Sequence, residues 1–399
     1  MKLFFKLALI ASFLWPVHIF GQQTDDVKIS NLPYYSYRRG LGLTSPDSVF
    51  QFNIRFRIQN RFSYLRRNSS NAFDGQIRRL RLRFDGYVGN PKFTYALQLS
   101  FAPGDVGEIE EGENINIIRD AVVFYNPDSH FQIGFGQTKL PGNRQRVNSS
   151  GALQLSDRTI SNARFNIDRD FGIFFNYFNH HKTRFSYNLR NAISMGEGRN
   201  YTKNPDNGLA YTTKLEVLPF GTFSNDGVYF EGDLFREKKP KLMLSAAYHL
   251  NHKARREAGV LGNELFGTRN LKSWLADMVF KYQGWSIMAS YMSRKTPDPV
   301  TLGPDNQKAT VYTGHGSDLQ GSYTFPKKLE IIGRFSRVVP DNAISQLFPK
   351  HRQYTIGLCQ YIWEHAFKLQ LEGSLNRYQH FNMTRSQDFY VRFQVEMGI

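Results

Sequence analysis

FQFNIRFRIQNRFSY, Phe50 to Tyr64, decides the fold. Phe50, Phe52, Ile54, Phe56 and Ile58 take the even positions, and Gln51, Asn53, Arg55, Arg57, Gln59 and Arg61 take the odd ones. Successive side chains of a strand point to opposite faces, so a period of two gives one apolar face and one polar face that carries arginine. IRRLRLRFDGYV, Ile77 to Val88, repeats the pattern, with Leu80, Leu82 and Phe84 set against Arg79, Arg81, Arg83 and Asp85. Guanidinium groups facing a packed core would be very costly, so this face must meet water. The aromatic face then meets a second sheet or lipid.

Working outward from these two strands, alternation marks sixteen in all: 50–64, 77–88, 92–101, 117–125, 130–137, 170–179, 183–193, 209–217, 241–249, 273–282, 285–293, 317–325, 328–337, 353–361, 366–376 and 388–398. Apolar faces recur as Phe93, Tyr95, Leu97, Leu99 and Phe101, as Trp274, Ala276, Met278, Phe280 and Tyr282, and as Phe389, Val391, Phe393, Val395 and Met397. Connection lengths test the count independently, because a transmembrane barrel has short periplasmic turns and long extracellular loops. Gly89-Asn90-Pro91, Asn126 to Ser129, His180-His181-Lys182, Gln283-Gly284, Pro326-Lys327 and Glu364-His365 are short and rich in turn residues. The intervening connections 65–76, 102–116, 138–169, 194–208, 250–272, 294–316, 338–352 and 377–387 are longer. One inner connection, Leu218 to Pro240, breaks the rule: either it is an ordered excursion or the two strands beside it are misplaced. The fold expected is all-β, a sixteen-stranded transmembrane antiparallel barrel over 49–399. A soluble two-sheet sandwich shares the alternation but not the short–long rhythm.

Composition narrows the function. Lys2 and Lys6 flank an apolar run from Leu3 to Phe20, with Gly21 at its end, which reads as a signal peptide over 1–21 cleaved before Gln22. Residues 22–48 read as a polar, irregular periplasmic lead-in. The chain has 51 Lys and Arg against 34 Asp and Glu; export and the alternation of arginine with aromatics argue against nucleic acid as the partner. Beyond the signal no run of 18 apolar residues occurs, which excludes helical spans. Cys359 is the one cysteine, so no internal disulfide forms. No catalytic signature of the Gly-x-Ser-x-Gly, His-Glu-x-x-His or phosphate-loop kind is present, and the expectation is no enzyme and no cofactor. A barrel phospholipase would need a Ser-His pair on the membrane-facing wall; a TonB-dependent transporter would need a large plug before the first strand. Asp105, Glu108, Glu110, Glu111 and Glu113 form an acidic outer loop with irregular spacing, and His180-His181 lacks further ligands, so neither is read as a metal site.

Three groups of motifs, in order, resemble the phosphate-selective porin O and P family in the form common in Bacteroidetes. They are Arg78-Arg79-Leu80-Arg81-Leu82 with Gly86; Arg119-Asp120-Ala121-Val122-Val123; and Ile133 to Pro141, followed by Ser149-Ser150, Asp157-Arg158 and Arg169-Asp170-Phe171-Gly172. The resemblance implies an outer-membrane barrel of a Gram-negative bacterium, usually a homotrimer, that passes small anions such as phosphate by passive diffusion. One departure is the end of the last strand, Met397-Gly398-Ile399, where many such barrels end in Phe.

A sixteen-stranded barrel leaves an aqueous channel whose lining sets selectivity. Guanidinium groups remain charged and present several donors to oxyanions. The pore-lining candidates are Arg55, Arg57, Arg61, Arg79, Arg81 and Arg83, with Arg184 and Arg190 opposite; Asp85, Glu372 and Glu396 are the carboxylates that would balance them. The connection 138–169 is expected to fold inward as a constriction loop, carrying Lys139, Arg144, Arg146, Arg158, Arg164 and Arg169 against Asp157 and Asp168. A general diffusion pore with weak anion bias and a closed structural or adhesin barrel are the alternatives.

Overall fold

The computed structural model describes residues 34–36, 40–67, 70–106, 116–200 and 205–399. Among the described residues twenty strands appear, in chain order: β1 (Tyr34–Ser36), β2 (Gly40–Thr44), β3 (Phe50–Arg67), β4 (Ser70–Val88), β5 (Phe93–Ser100), β6 (Ile118–Tyr125), β7 (Phe131–Lys139), β8 (Arg169–Asn179), β9 (Ser186–Ser194), β10 (Ala210–Leu218), β11 (Lys241–Arg256), β12 (Glu264–Tyr282), β13 (Trp285–Lys295), β14 (Val300–Leu302), β15 (Lys308–Thr310), β16 (Gly314–Thr324), β17 (Leu329–Pro340), β18 (Lys350–Trp363), β19 (Phe367–Gln379) and β20 (Arg385–Gly398). From β3 onward each long strand pairs antiparallel with the next, and β20 returns to β3 with Asp388 opposite Arg67 and Gly398 opposite Arg57. The result is a closed sixteen-stranded antiparallel barrel; β14 and β15 form a separate hairpin in an outer connection. No helix of the described residues is long and apolar enough to cross a membrane, which says nothing about strands.

Alternation sorts the wall as the sequence implied. Phe52, Phe56, Phe62, Phe93, Phe135, Leu215, Trp274, Ile331, Ile356 and Phe393 are exposed on the outside. A band of this kind, spread over the whole circumference, is what lipid covers. Closure leaves no unpaired strand edge within that band.

Several boundaries differ from the sequence reading. The outer connection expected over 65–76 is mostly strand, because β3 and β4 continue as a hairpin in which Arg66 pairs with Asn71 and Arg67 with Ser70. β11 and β12 likewise extend past 249 and start before 273. Alternating hydrophobicity ends where the lipid band ends, but ladder hydrogen bonds need only backbone and carry the strands further. Part of the lead-in is ordered too: β2 lies against the first half of β3, with Leu41 opposite Ile54 and Thr44 opposite Gln51. The segment expected as signal peptide, and most of the acidic loop 105–113, lie outside the described residues.

At the other doubtful place the strands stand and the connection is an excursion. β10 and β11 pair in register, Val217 opposite Leu244, so residues 219–240 are an insertion between correctly placed neighbours. They turn back into the barrel. Val228 and Phe223 pack on Leu218, Met243, Val279 and Met288, an apolar patch on the inner wall. The segment 140–168 enters from the opposite end and covers a second apolar patch, where Leu140, Phe165 and Ile167 pack on Phe174, Ala192, Ala247, Leu275, Met292 and Val338 of β8, β9, β11, β12, β13 and β17. The lumen is therefore part core and part water.

Candidate functional site: the basic conduit

Two inserted segments fill one half of the lumen. From the loop end, 140–168 crosses the barrel and is pinned on the far wall. There Ser156 donates through N to Glu372 Oε2 (2.9 Å) and through Oγ to Oε1 (2.8 Å), Thr159 Oγ1 donates to Asp318 Oδ2 (2.9 Å), and Arg334 Nη1 donates to the Asp157 carbonyl (2.9 Å). Wall side chains on this half are covered, with Lys214 and Lys368 keeping 1% and 0% of their side-chain surface. On β3 and β4, by contrast, Arg57 and Arg83 keep 26% and 37%. The open space runs down the arginine wall.

That space consists of two cavities. The one toward the loop end, about 580 Å³, is lined by Arg78, Arg79, Arg81, Arg119, Lys139, Arg146, Arg158, Arg169, Arg199 and Arg392, among others, with Asp105, Asp157 and Asp168. A smaller one toward the turn end, about 190 Å³, is lined by Arg55, Arg57, Arg81, Arg83, Lys139, Arg169 and Glu396. Arg81, Lys139 and Arg169 line both, and mark where the two meet.

Hydrogen bonds and ion pairs hold most of these cations in place. Arg55 and Arg83 share Asp85, the latter at 3.3 Å. Arg57 donates to Ser149 Oγ (2.8 Å) and Ser150 Oγ (3.0 Å) and lies 3.3 Å from Glu396, which ties the wall to the crossing segment. Arg81 donates to Asp105 and to Ser150 Oγ at 3.1 Å. Arg61 pairs with Asp157, Arg78 reaches the same carboxylate at 2.7 Å, and Arg79 donates to Gln59 Oε1 (2.7 Å). Burial pushes the Asp157 carboxyl up, but Arg78, Arg61, Arg79 and Arg392 around it hold it well below the usual carboxylate range. Arg169 forms a paired contact with Asp120, 3.0 Å at each oxygen, and Arg146 clamps Asp168. Lys139 Nζ donates to the Asn148 carbonyl (3.1 Å), and Arg158 donates to the carbonyls of Gln145 (2.6 Å) and Asn148 (3.1 Å). Carbonyls orient these last two cations without cancelling their charge.

Not every candidate lies on this path. Arg184 is not on the wall: β9 begins at Ser186, and Arg184 sits exposed in the turn-end connection, where its carbonyl accepts from Ser186 Oγ. Arg190 points inward but under the excursion, donating to Tyr229 OH (2.7 Å) and facing Glu216 at 3.4 Å. Arg144 is buried as a strut, its guanidinium donating to the Val228 carbonyl (2.8 Å) and to that of Phe230. Arg164 is exposed over the rings of Tyr312 and Phe348.

Five lining cations escaped the sequence reading: Arg67, at the end of β3 where an outer connection was expected, and Arg78, Arg119, Arg199 and Arg392. Arg78 and Arg119 owe their place to breaks in register. Between Gln59 and Asn60 the partner jumps from Arg79 to Ile77, and between Gln98 and Leu99 it jumps from Asp120 to Ile118. Each is a β-bulge, and each turns two consecutive charged residues inward, Arg78 with Arg79 and Arg119 with Asp120. The visible signal was the doublet of charges inside an alternating strand. Arg392 follows simple alternation between Val391 and Phe393; Arg199 lies in an outer connection and had no periodic signal.

A family model for phosphate-selective porin O and P matches residues 50–396, the whole barrel. The chain belongs to that family. It is an outer-membrane porin by family and fold. Among solved structures it is similar to the outer membrane channel DcaP of Acinetobacter baumannii, at 11% identity and a TM-score of 0.55, over 90% of this chain and 99% of that one. It is also similar to an anion-selective porin from Comamonas acidovorans, at 8% identity and 0.53, over 88% and 100%. A third is Salmonella typhi OmpF, at 12% and 0.52, over 88% and 98%. At such identities the likeness concerns the barrel, not the solute. No curated protein matches this porin in sequence.

Proposed function

We propose that this porin is a passive pore for small anions, with phosphate and related oxyanions favoured, and that the solute path is the conduit along β3 to β8. The observation that carries the reading is the charge of that conduit: eleven Lys and Arg line the larger cavity against four Asp, and six line the smaller one against Glu396. Such a wall raises the local concentration of anions and repels cations. Because much of the arginine charge is held by a carboxylate or a carbonyl, an oxyanion exchanges into existing hydrogen bonds. This keeps binding weak enough for release, as conduction requires. Assembly as a homotrimer, as the family implies, belongs to the same proposal.

The test is a planar bilayer holding the refolded mature chain. Across a chloride gradient the reversal potential is expected to lie close to the anion limit, and added phosphate is expected to reduce the chloride current. A reversal potential near zero with no effect of phosphate would remove both the selectivity and the phosphate preference.

A further inference from the structure

The excursion 219–240 leaves the turn end and ends against the crossing segment. Two side chains make the contact, Arg144 of the crossing segment, which donates to the Val228 and Phe230 carbonyls, and Glu231 of the excursion. Glu231 carries the larger set of bonds. Its N donates to the Ala152 carbonyl (2.9 Å), its Oε1 accepts from Gln145 Nε2 (3.0 Å), and its Oε2 accepts from Gln154 N (3.0 Å) and Gln320 Nε2 (3.4 Å). It is 1% exposed. Two donors belong to the crossing segment and the third to β16, so one side chain joins both insertions to the wall. Behind it the excursion is also anchored to the wall. Lys281 Nζ donates to the carbonyls of Gly227 (2.8 Å) and Phe230 (3.0 Å); Asp233 accepts from Gly284 N in the β12–β13 turn (2.7 Å); and Arg236 donates to the Thr324 carbonyl.

What it covers matters for charge. Inward-facing carboxylates of the barrel are not confined to the conduit: Glu216, Asp277, Asp318, Glu330 and Glu372 line β10, β12, β16, β17 and β19, and all are buried beneath the two insertions. Lys214, Lys281, Arg294, Arg334 and Lys368 are buried on the same half, so if water filled it the space opened opposite the arginine wall would be close to balanced in charge and would admit cations as readily as anions.

We infer that the connection 219–240 is a selectivity plug: together with the crossing segment it keeps this charge-balanced half of the lumen out of the solute path, and Glu231 latches the two insertions to each other. The inference rests on the anion-pore reading for its consequence, but the plug can be tested without it. Ser322 lies on the covered wall and bonds Gln154 Nε2, whereas Arg83 faces the conduit. In otherwise unchanged protein, Ser322→Cys should resist a charged thiol reagent that labels Arg83→Cys at once; the native Cys359 is fully buried and serves as the unreactive background. Adding Glu231→Ala should raise labelling of Ser322→Cys at least about tenfold, the effect of losing about 1.4 kcal/mol of latch. Equal labelling of Ser322→Cys with and without Glu231 would overturn the latch.

Replacing 222–238 by a short Gly-Ser turn tests selectivity. In a barrel that still migrates as folded, conductance should rise about twofold, as a conduit of similar size opens in parallel, and the reversal potential should move toward zero. Unchanged conductance and reversal potential would overturn the plug. A weakly selective parent chain combined with the labelling contrast would instead strike the anion-pore reading and leave the latch standing.

Discussion

Arg78 shows how a single side chain acquires a place in the conduit. Strict alternation sends it outward, into lipid, where a guanidinium costs about 2 to 4 kcal/mol at the midplane. The bulge at Gln59/Asn60 turns it inward beside Arg79, and Asp157 receives it at 2.7 Å. Asp157 in turn lies within reach of Arg61, Arg78 and Arg392. Replacing it by alanine leaves those cations facing one another, and the expected loss is about 3 kcal/mol of stability, in the range for removing one partner of a buried pair, with the crossing segment opened to protease. Urea unfolding in detergent and limited proteolysis check this. The pH dependence follows from the same carboxyl. Its pKa is depressed in the folded chain, so its contribution is present in full above the ordinary carboxylate pKa and is lost only as pH falls through the depressed value. Conductance is therefore expected to stay level from pH 7 down to about 4, the ordinary carboxylate pKa, a window in which a normally titrating latch would already loosen. At this scale the sequence was legible wherever alternation held. Arg55, Arg57, Arg79, Arg81 and Arg83 line the two cavities, Arg61 lines neither and pairs with Asp157, and Arg184 lies outside the wall because the strand starts at Ser186, three residues later than alternation placed it. Arg144 and Arg190 could not be assigned from local pattern, since what covers them is a segment more than 35 residues away in sequence.

Among the elements, the barrel strands answer to lipid on one face and to their inserted segments on the other. Ile356, 68% exposed and midway along β18 between Gly333 and Gly373, is a clean probe of the outer face. Ile356→Lys should lower the stability of the folded barrel in bilayers by about 2 to 4 kcal/mol. Refolding equilibria in lipid vesicles measure it. The excursion has its own constraint in Gly232. Its φ is +70°, and a Cβ there would meet Glu330 Oε1 at 2.6 Å and Gln154 Nε2 at 2.9 Å. Gly232→Ala is expected to cost about 1 to 3 kcal/mol locally, read as faster protease cleavage between 219 and 240 with the barrel itself intact. Sixteen strands were countable because each repeats a two-residue period. The inward course of 219–240 was not, because the apolar positions that receive it, Leu218, Met243, Val279 and Met288, sit on four different strands. They become a patch only after the sheet has closed.

Taken whole, the molecule separates a greasy exterior, a packed half and a basic conduit. With a formal net charge of +17 over the full chain, some anion preference would arise from long-range field alone. Salt separates the two sources. At 0.1 M the screening length is about 10 Å and at 1 M about 3 Å, so a preference due to distant charge should vanish at high salt. One due to Arg81, Lys139 and Arg169 at the junction of the cavities should persist. Reversal potentials measured in gradients centred on the two concentrations are expected to show a reduced but finite anion preference at 1 M. The ring of strands has a further consequence for how the molecule is made. Its seam joins β3 to β20, residues more than 300 positions apart, and Ile399 N still reaches the Phe56 carbonyl at 3.2 Å. Loop closure over that span precedes any reward from the seam. Until β20 has been synthesised and delivered, β3 and β4 present their lipid-facing phenylalanines with one edge unmatched. The growing chain must therefore be shielded from its own kind for the whole of its passage to the membrane, and the last strand to emerge is the one that ends the exposure.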